Sequence, residues 1–182
     1  MARRYHPDAR VVHVDVAKLV AVHGRALLAR DPDVLMVHQD ARDPERVLKE
    51  AFELLDPDKP VGLIATAVVH FWQDSDDPAG ILRYYMQEFP AGYLLLSHAC
   101  GEKMPSKDFA KLRAAYEEAF APIYPRDHAG VATFLEGVDT LEPGLVEASR
   151  WRDDRKVDVG DAHFLVAVAA FGQYATTARS TS

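Results

Sequence analysis

The chain has 182 residues, of which 48% are hydrophobic and 27% charged, and its formal net charge is −7. These are globular proportions, and without a basic patch they argue against tight nucleic-acid binding. No apolar run reaches the ~18 residues of a membrane helix, and none follows the basic N-terminus as in a secretory signal. With a single cysteine, Cys100, we expect a cytoplasmic protein with one domain over residues 1–174 and a flexible tail over 175–182.

The first elements alternate between strands and helices. Apolar, β-branched runs predict strands over 9–15 and 34–40, each ending in an acid. Residues 18–29 between them have helical spacing, with these apolar residues on one face: Leu19, Val22 and Ala26. Asp43 and Pro44 then have the composition of a helix start, because the carboxylate caps free amides and proline fits the first turn.

The middle of the chain repeats this alternation. The apolar run 61–69 is typical of a strand covered on both faces. Asp77 and Pro78 predict a second capped helix, and 91–92 a turn into a strand over 93–97. The predicted helix buries a stripe formed by Ile81, Leu82, Tyr85 and Phe89.

The C-terminal part of the chain departs from the alternation of strands and helices. Apolar residues over 109–120 predict a longer helix, and 125–135 a short one. Residues 138–151 and 164–171 predict two strands which, with no helix between them, form an antiparallel pair. The whole pattern indicates an α/β fold with a mostly parallel sheet, in which ligands bind at the carboxyl ends of the strands.

Two aspartates end the first two predicted strands. Asp15 and Asp40 stand where a carboxylate can accept hydrogen bonds from ribose hydroxyls or from an adenine amino group. The alternative is that each forms a helix cap or a turn, since aspartate favours both. His13 and His38 each lie two residues earlier, so a metal site on these four side chains is a further alternative.

Histidines follow the next two strands. His70 could act as a base or contact a substrate, and Phe71 could line a pocket beside it. His98 follows the fourth strand and falls on the same edge of the sheet, so both rings could face one cleft. The alternative for His70 is a hydrogen-bonded residue at a strand end.

Six segments, taken in order, resemble a bacterial S-adenosyl methyltransferase family long catalogued as a domain of unknown function. The segments are 7–15 (PDARVVHVD), 39–44 (QDARDP), 69–71 (VHF), 76–80 (DDPAG), 93–99 (YLLLSHA) and 141–146 (LEPGLV). Each is short, and their shared order over nearly the whole chain is the stronger signal.

The resemblance implies a Rossmann-like class I methyltransferase fold, a three-layer sandwich with an antiparallel C-terminal hairpin. S-adenosylmethionine would be the cofactor, and a small molecule the substrate. Asp15 and Val16 would hold the ribose, and Asp40 and Ala41 the adenine. Two residues, Ala67 and Val68, would lie beside the methionine part. The residues bordering the acceptor pocket would be His70, Phe71 and His98, with His70 as the candidate catalytic residue and no metal.

The front of the chain departs from the family pattern. No Gly-x-Gly pair occurs, and Met1 falls inside the helix that would follow the family's glycine-rich loop. We therefore expect the family's first strand, its loop and its substrate lid to be missing. The chain would then close the gap in the sheet directly, pair with a second copy or depend on a partner segment. Three functions stay open: a methyltransferase-like enzyme, a non-catalytic remnant or binding module of the same fold, and a metal-dependent enzyme.

Overall fold

The structure is a computed structural model that describes residues 4–28, 31–102, 104–119, 121–152 and 164–178. The chain divides into two compact units, Met1–Lys59 and Pro60–Ser182, called here the first and second unit. Within the described residues no helix combines the length and apolar character needed to cross a bilayer.

The first unit holds a two-stranded parallel sheet, β1 (Val11–Asp15) and β2 (Val34–His38), with helices α1 (Lys18–Leu28) and α2 (Pro44–Ala51). The predicted start of α2 is confirmed. Asp43 caps the helix by accepting a hydrogen bond from the backbone N–H of Arg46, at 3.2 Å, and proline occupies the first turn.

The apolar face of α1 indicated by the spacing of its residues does not lie against the core. Leu19 is 69% exposed, and Val22 is exposed as well, whereas Ala21 is buried. A Cβ on Gly24 would lie 3.0 Å from the Met36 sulfur. The helix therefore approaches β2 closely through its small residues, which leaves the larger apolar side chains on its outer side.

The second unit is built on a mixed five-stranded sheet. Its strands are β3 (Val61–Thr66), β4 (Ala91–Ala99), β5 (Asp139–Thr140), β6 (Val146–Glu147) and β7 (Phe164–Gly172). The order is β3-β4-β7-β5, with β6 also paired to β7. The β3–β4 pair is parallel, whereas β7 runs antiparallel to its neighbours, as predicted for the C-terminal part.

Four helices accompany this sheet: α3 (Pro78–Gln87), α4 (Ser106–Ala119), α5 (His128–Ala132) and α6 (Gln173–Ala178). The predicted cap of α3 is confirmed, because Asp77 accepts a hydrogen bond from the Gly80 N–H at 3.0 Å. The short helix predicted from 125 begins at His128, since Asp127 caps it by accepting from the Gly130 N–H.

Strand β3 is shorter than predicted, and one of its faces is open. It ends at Thr66 because Ala67 adopts a left-handed backbone with φ of 53°. A one-turn 3-10 helix, Val69–Phe71, follows. Ile64 is 70% exposed, so the expected burial of both strand faces is not seen among the described residues.

Strand β4 is longer than predicted. It begins at Ala91, so the segment 91–92 is strand rather than turn. A Cβ on Gly92 would collide with the Val61 carbonyl oxygen and the Phe171 ring. Glycine at this position therefore allows a close strand approach rather than a reversal of the chain.

The C-terminal strand 138–151 is divided. A turn with a hydrogen bond from the Gly144 N–H to the Leu141 carbonyl separates β5 from β6, and a 3-10 helix follows at Ala148–Arg150. Residues 175–178 belong to α6 rather than to a tail. Phe120, most of the charged segment 152–156 and the final residues 179–182 lie outside the described residues.

Candidate functional site

Asp15 ends β1 and begins the turn into α1. Its Oδ1 accepts a hydrogen bond from the Ala17 N–H at 2.7 Å. Within the residues that the structure describes, Oδ2 accepts no hydrogen bond. The neighbouring strand places His38 opposite Asp15, where its Nε2 donates to the Val16 carbonyl at 3.1 Å. Asp15 thus combines a local capping contact with one carboxylate oxygen available to a hydroxyl donor.

Asp40 lies after β2 in a tight contact with Arg42. Arg42 Nη2 donates to Oδ2 at 2.6 Å, and the Arg42 backbone N–H donates to Oδ1 at 2.9 Å. The side-chain hydrogen bond from Arg42 is the main cause that lowers the pKa of Asp40 below its ordinary value. An adenine amino group would therefore share this carboxylate with Arg42. Ala41, between the two, is half-buried.

The metal alternative gains no support from this arrangement. His13 pairs with Met36 across the strands, while Asp15 pairs with His38. The carboxylate of Asp40 is held by Arg42. No group of three or more potential metal ligands occurs in the described part of the chain.

In the second unit, the end of β3 leads directly to a buried histidine. The Ala67 N–H donates to the Ser97 hydroxyl at 2.9 Å, which fixes the left-handed turn, and Val68 precedes the 3-10 helix. His70 in that helix is 2% exposed. Its ring lies among aromatic rings, with centroid separations of 4.6 Å to Phe71, 5.7 Å to His98 and 5.8 Å to Phe164.

The backbone of Ala99 contacts both histidines. Its N–H donates to Nδ1 of His70 at 3.4 Å, and its carbonyl accepts from Nδ1 of His98 at 2.7 Å. His98 is completely buried at the end of β4. The two rings predicted to lie at one sheet edge are therefore brought together, inside the protein rather than on an open surface.

Arg126, in the loop before α5, also belongs to the hydrogen-bond network of the two histidines. Its Nη1 donates to Nε2 of His98 at 3.0 Å, and its Nη2 donates to the Trp72 carbonyl at 2.9 Å. Nη2 also forms an ion pair with Asp74, at 2.7 Å. The Arg126 side chain is 11% exposed, whereas the Asp74 side chain is 93% exposed. The guanidinium also lies 5.1 Å from the centre of the Phe134 ring, a favourable cation–π distance.

Both histidines are electrically neutral near pH 7. Burial, with a smaller contribution from the Arg126 charge, lowers the pKa of His70 to about 4. Burial is also the main cause that lowers the pKa of His98 to about 4, against an upward contribution from its hydrogen bond to Ala99. A conjugate acid of this strength makes His70 a weak general base at neutral pH, which favours the alternative of a hydrogen-bonded strand-end residue.

Two cavities in the second unit lie beside this network. One of about 460 Å³ has Arg126, Asp74 and Phe134 in its wall. Another, of about 250 Å³, is bordered by Cys100 just after β4 and by Leu165 at the start of β7. The larger cavity is within the size range of a small-molecule site, about 300–1,000 Å³, and the smaller one is just below it.

Comparison with known proteins gives the family. A model described as S-adenosyl methyltransferase matches residues 1–180. The chain belongs to this S-adenosyl methyltransferase family.

Solved structures agree with this assignment. A DUF574 family protein from Streptomyces avermitilis is 33% identical with a TM-score of 0.82, over 92% of this chain and 67% of that one. A protein of Thermobifida fusca described as a candidate methyltransferase is 26% identical with a TM-score of 0.82, over 94% and 66%. The methyltransferase-family chain therefore spans about two thirds of the length of each.

A more distant match extends the likeness in fold only. Human N-acetylserotonin methyltransferase, solved with S-adenosylmethionine, is 12% identical with a TM-score of 0.53, over 94% of this chain and 43% of that one. No curated protein matches the chain in sequence. The predicted family and the mixed α/β fold of methyltransferase type are confirmed.

Sequence reasoning missed the role of Arg126 in this methyltransferase-family chain. Arg126 was placed only inside a short predicted helix, although the structure puts it before α5 and in contact with residues from three segments. One weak signal was available: a lone arginine stands between Pro125 and the helix-capping Asp127 in a segment with few other charges.

Proposed function

We propose that this chain takes part in the transfer of a methyl group from S-adenosylmethionine to a small-molecule acceptor. Family membership supports the reaction class, and the carboxylate of Asp15 is the observation that carries the cofactor assignment. One of its oxygens remains available at the carboxyl end of a parallel strand, the position where nucleotide ribose is bound in sheets of this type.

The remaining cofactor residues are proposed from the resemblance. In the first unit, Val16 accompanies Asp15 at the ribose, and Asp40 with Ala41 meets the adenine. In the second unit, Ala67 and Val68 accompany the methionine part. The small side chain and left-handed backbone of Ala67 suit a close backbone approach to a ligand.

The acceptor residues are proposed in the second unit. When bound, the cofactor supplies an electrophilic methyl group on a positively charged sulfur. The chain has to orient the acceptor and exclude water, and orientation alone can remove much of such a barrier. His70, Phe71 and His98 provide buried aromatic and imidazole surface for this purpose. A neutral His70 suits a hydrogen bond to the acceptor better than removal of its proton.

Binding of S-adenosylhomocysteine to the 182-residue chain tests the cofactor proposal. We expect calorimetry to detect binding and expect Asp15→Asn to weaken it roughly 10–100-fold, because a charged hydrogen-bond acceptor contributes about 1.5–3 kcal/mol. Asp8→Asn is the matched control, since Asp8 is an exposed aspartate in the same unit. Its affinity should equal that of the wild type.

Two outcomes would contradict the proposal. Absence of any binding at millimolar ligand would favour a non-catalytic remnant or binding module of the same fold. Equal affinity of the wild type and Asp15→Asn would support binding of the cofactor but would show that Asp15 does not contribute to it.

We also propose that a second copy or a partner segment pairs with an open strand edge. In the described part of each unit, β1 pairs only with β2, and β3 pairs on one side only, with β4. Unpaired edges of this kind are templates for another strand. Light scattering during size-exclusion chromatography should give a dimer mass at micromolar concentration. A monomer at all concentrations would exclude the second copy.

A further inference from the structure

The network around His98 fixes where each histidine carries its hydrogen. A backbone carbonyl can only accept a hydrogen bond, so Nδ1 of His98 must be the donor to Ala99. A guanidinium can only donate, so Nε2 of His98 must be the acceptor from Arg126. Both contacts require the same neutral tautomer of His98, with its hydrogen on Nδ1.

His70 is fixed in the opposite way. The Ala99 N–H is a donor, so Nδ1 of His70 must accept from it. A neutral imidazole with an accepting Nδ1 carries its hydrogen on Nε2. The two rings, whose centroids are 5.7 Å apart, therefore hold complementary tautomers, each fixed by a different backbone group of Ala99.

Arg126 contacts both the His98 ring and the Ala99 carbonyl. Its side chain donates to the His98 ring, and its backbone N–H donates to the Ala99 carbonyl at 3.3 Å. Its remaining side-chain hydrogens are also engaged, two of them on Asp74 and the others on the carbonyls of Trp72 and Tyr124. With all five N–H groups engaged, the guanidinium has little freedom to rotate away from His98.

We propose that Arg126 is a positioning residue that holds His98 as the Nδ1–H tautomer, beside a His70 ring that the Ala99 N–H holds as the Nε2–H tautomer. His70 then presents an N–H rather than a lone pair, so the ligand group that meets it is a hydrogen-bond acceptor, such as a carboxylate, carbonyl or phenolate oxygen. This use of His70 rests on the proposed function, whereas the tautomers themselves do not.

The test reads the tautomers directly. In the full chain labelled with ¹⁵N-histidine, long-range ¹H–¹⁵N spectra at pH 7 distinguish a protonated ring nitrogen from a bare one. We expect the wild type to show His98 with a bare Nε2 and His70 with a bare Nδ1. The signals are assigned by their loss in His98→Gln and His70→Gln. A wild-type spectrum with either ring in the other tautomer overturns the proposal without any arginine variant.

The variants then test the role of Arg126. In Arg126→Met, we expect the ¹⁵N shift of His98 Nε2 to move toward that of a protonated nitrogen, as the ring begins to sample both tautomers. Asp74→Asn is the control, because it leaves the bonds from Arg126 to His98 and Trp72 in place, and its histidine shifts should match the wild type. If Arg126→Met does not fold, Arg126→Gln offers an amide oxygen that can accept from a protonated Nε2 as well as an amide N–H that can donate, and the same shift is expected.

An unchanged His98 tautomer in a folded Arg126→Met or Arg126→Gln chain would show that Ala99 alone fixes this ring, and would overturn the proposal. Because no cofactor enters this measurement, its result is separate from that of the calorimetry. A chain that fails to bind S-adenosylhomocysteine can still show the expected tautomers, and a chain that binds it can still lack them.

Discussion

Replacing Leu94 with alanine is expected to lower the free energy of unfolding by about 2–5 kcal/mol. Leu94 is completely buried on β4, the strand that lies between β3 and β7. Its partners across the sheet are Leu63 on β3 and Ala169 on β7, and Ala169 is itself fully buried. Strand backbones on both sides limit how far the sheet can collapse around the missing atoms, so part of the cavity should persist.

The next residue along the strand supplies the matched control. Leu95 points to the other face of β4 and is 37% exposed. Leu95→Ala removes the same atoms from a partly solvated position, and we expect a loss below about 1 kcal/mol. Urea denaturation monitored by tryptophan fluorescence measures the free energy of unfolding of both variants and of the wild type. Equal losses for the two variants would contradict the assignment of the buried face of β4.

These two leucines also show what the sequence could and could not predict. The run Leu94-Leu95-Leu96 identifies a strand by composition, but it has no alternation from which a buried face could be read. The buried face depends on which helices cover the sheet. By contrast, the caps at Asp43 and Asp77 were predictable, because each involves only residues within three positions along the chain.

For helix α1, the secondary structure was predicted correctly, but its apolar face does not lie against the core. Its period was read correctly, and the helix ends within one residue of the predicted end, yet Leu19 and Val22 lie outside and Ala21 inside. Sequence periodicity assumes that the larger apolar side chains face the core. That assumption fails when a helix approaches a strand closely, since only small residues such as Ala21 and Gly24 fit at the contact.

The candidate site was predictable only in part, for a related reason. Strand ends can be located from the sequence, so Asp15, Asp40, His70 and His98 could be selected as candidates. The hydrogen bond from Arg126 to His98 joins residues 28 positions apart, and the ion pair with Asp74 joins residues 52 apart. Such contacts depend on the three-dimensional path of the chain, which no local pattern specifies.

The free energy of unfolding is expected to fall as the pH is lowered from 6.5 towards 4. Folding lowers the pKa of both His70 and His98 from 6.5 to about 4, mainly by burial. In this range the unfolded chain therefore binds more protons than the folded chain, so lowering the pH favours unfolding. The contribution is fully present above pH 6.5 and is lost as the pH falls to about 4.

The size of this loss follows from the two pKa values. One pKa unit corresponds to about 1.4 kcal/mol, so each histidine accounts for about 2 kcal/mol at pH 5 and about 3 kcal/mol when the titration is complete. The loss is distinct from that of Asp40, whose lowered pKa moves its contribution to still lower pH. A marginally stable chain would lose a large share of its stability between pH 6.5 and 5.

Urea denaturation at pH 7, 6, 5.5 and 5 measures this slope, and a histidine variant assigns it. His98→Gln removes one titrating ring, so the fall in stability between pH 7 and 5 should be about half that of the wild type. His13→Gln is the control, because the exposed His13 ring is solvated in the folded chain as it is in the unfolded chain. If the free energy of unfolding of His98→Gln fell between pH 7 and 5 as steeply as that of the wild type, the buried His98 ring of the wild type would not resist protonation. The geometry argues otherwise: Nε2 of His98 already accepts from Arg126, and a second proton on the ring would have to displace that cation.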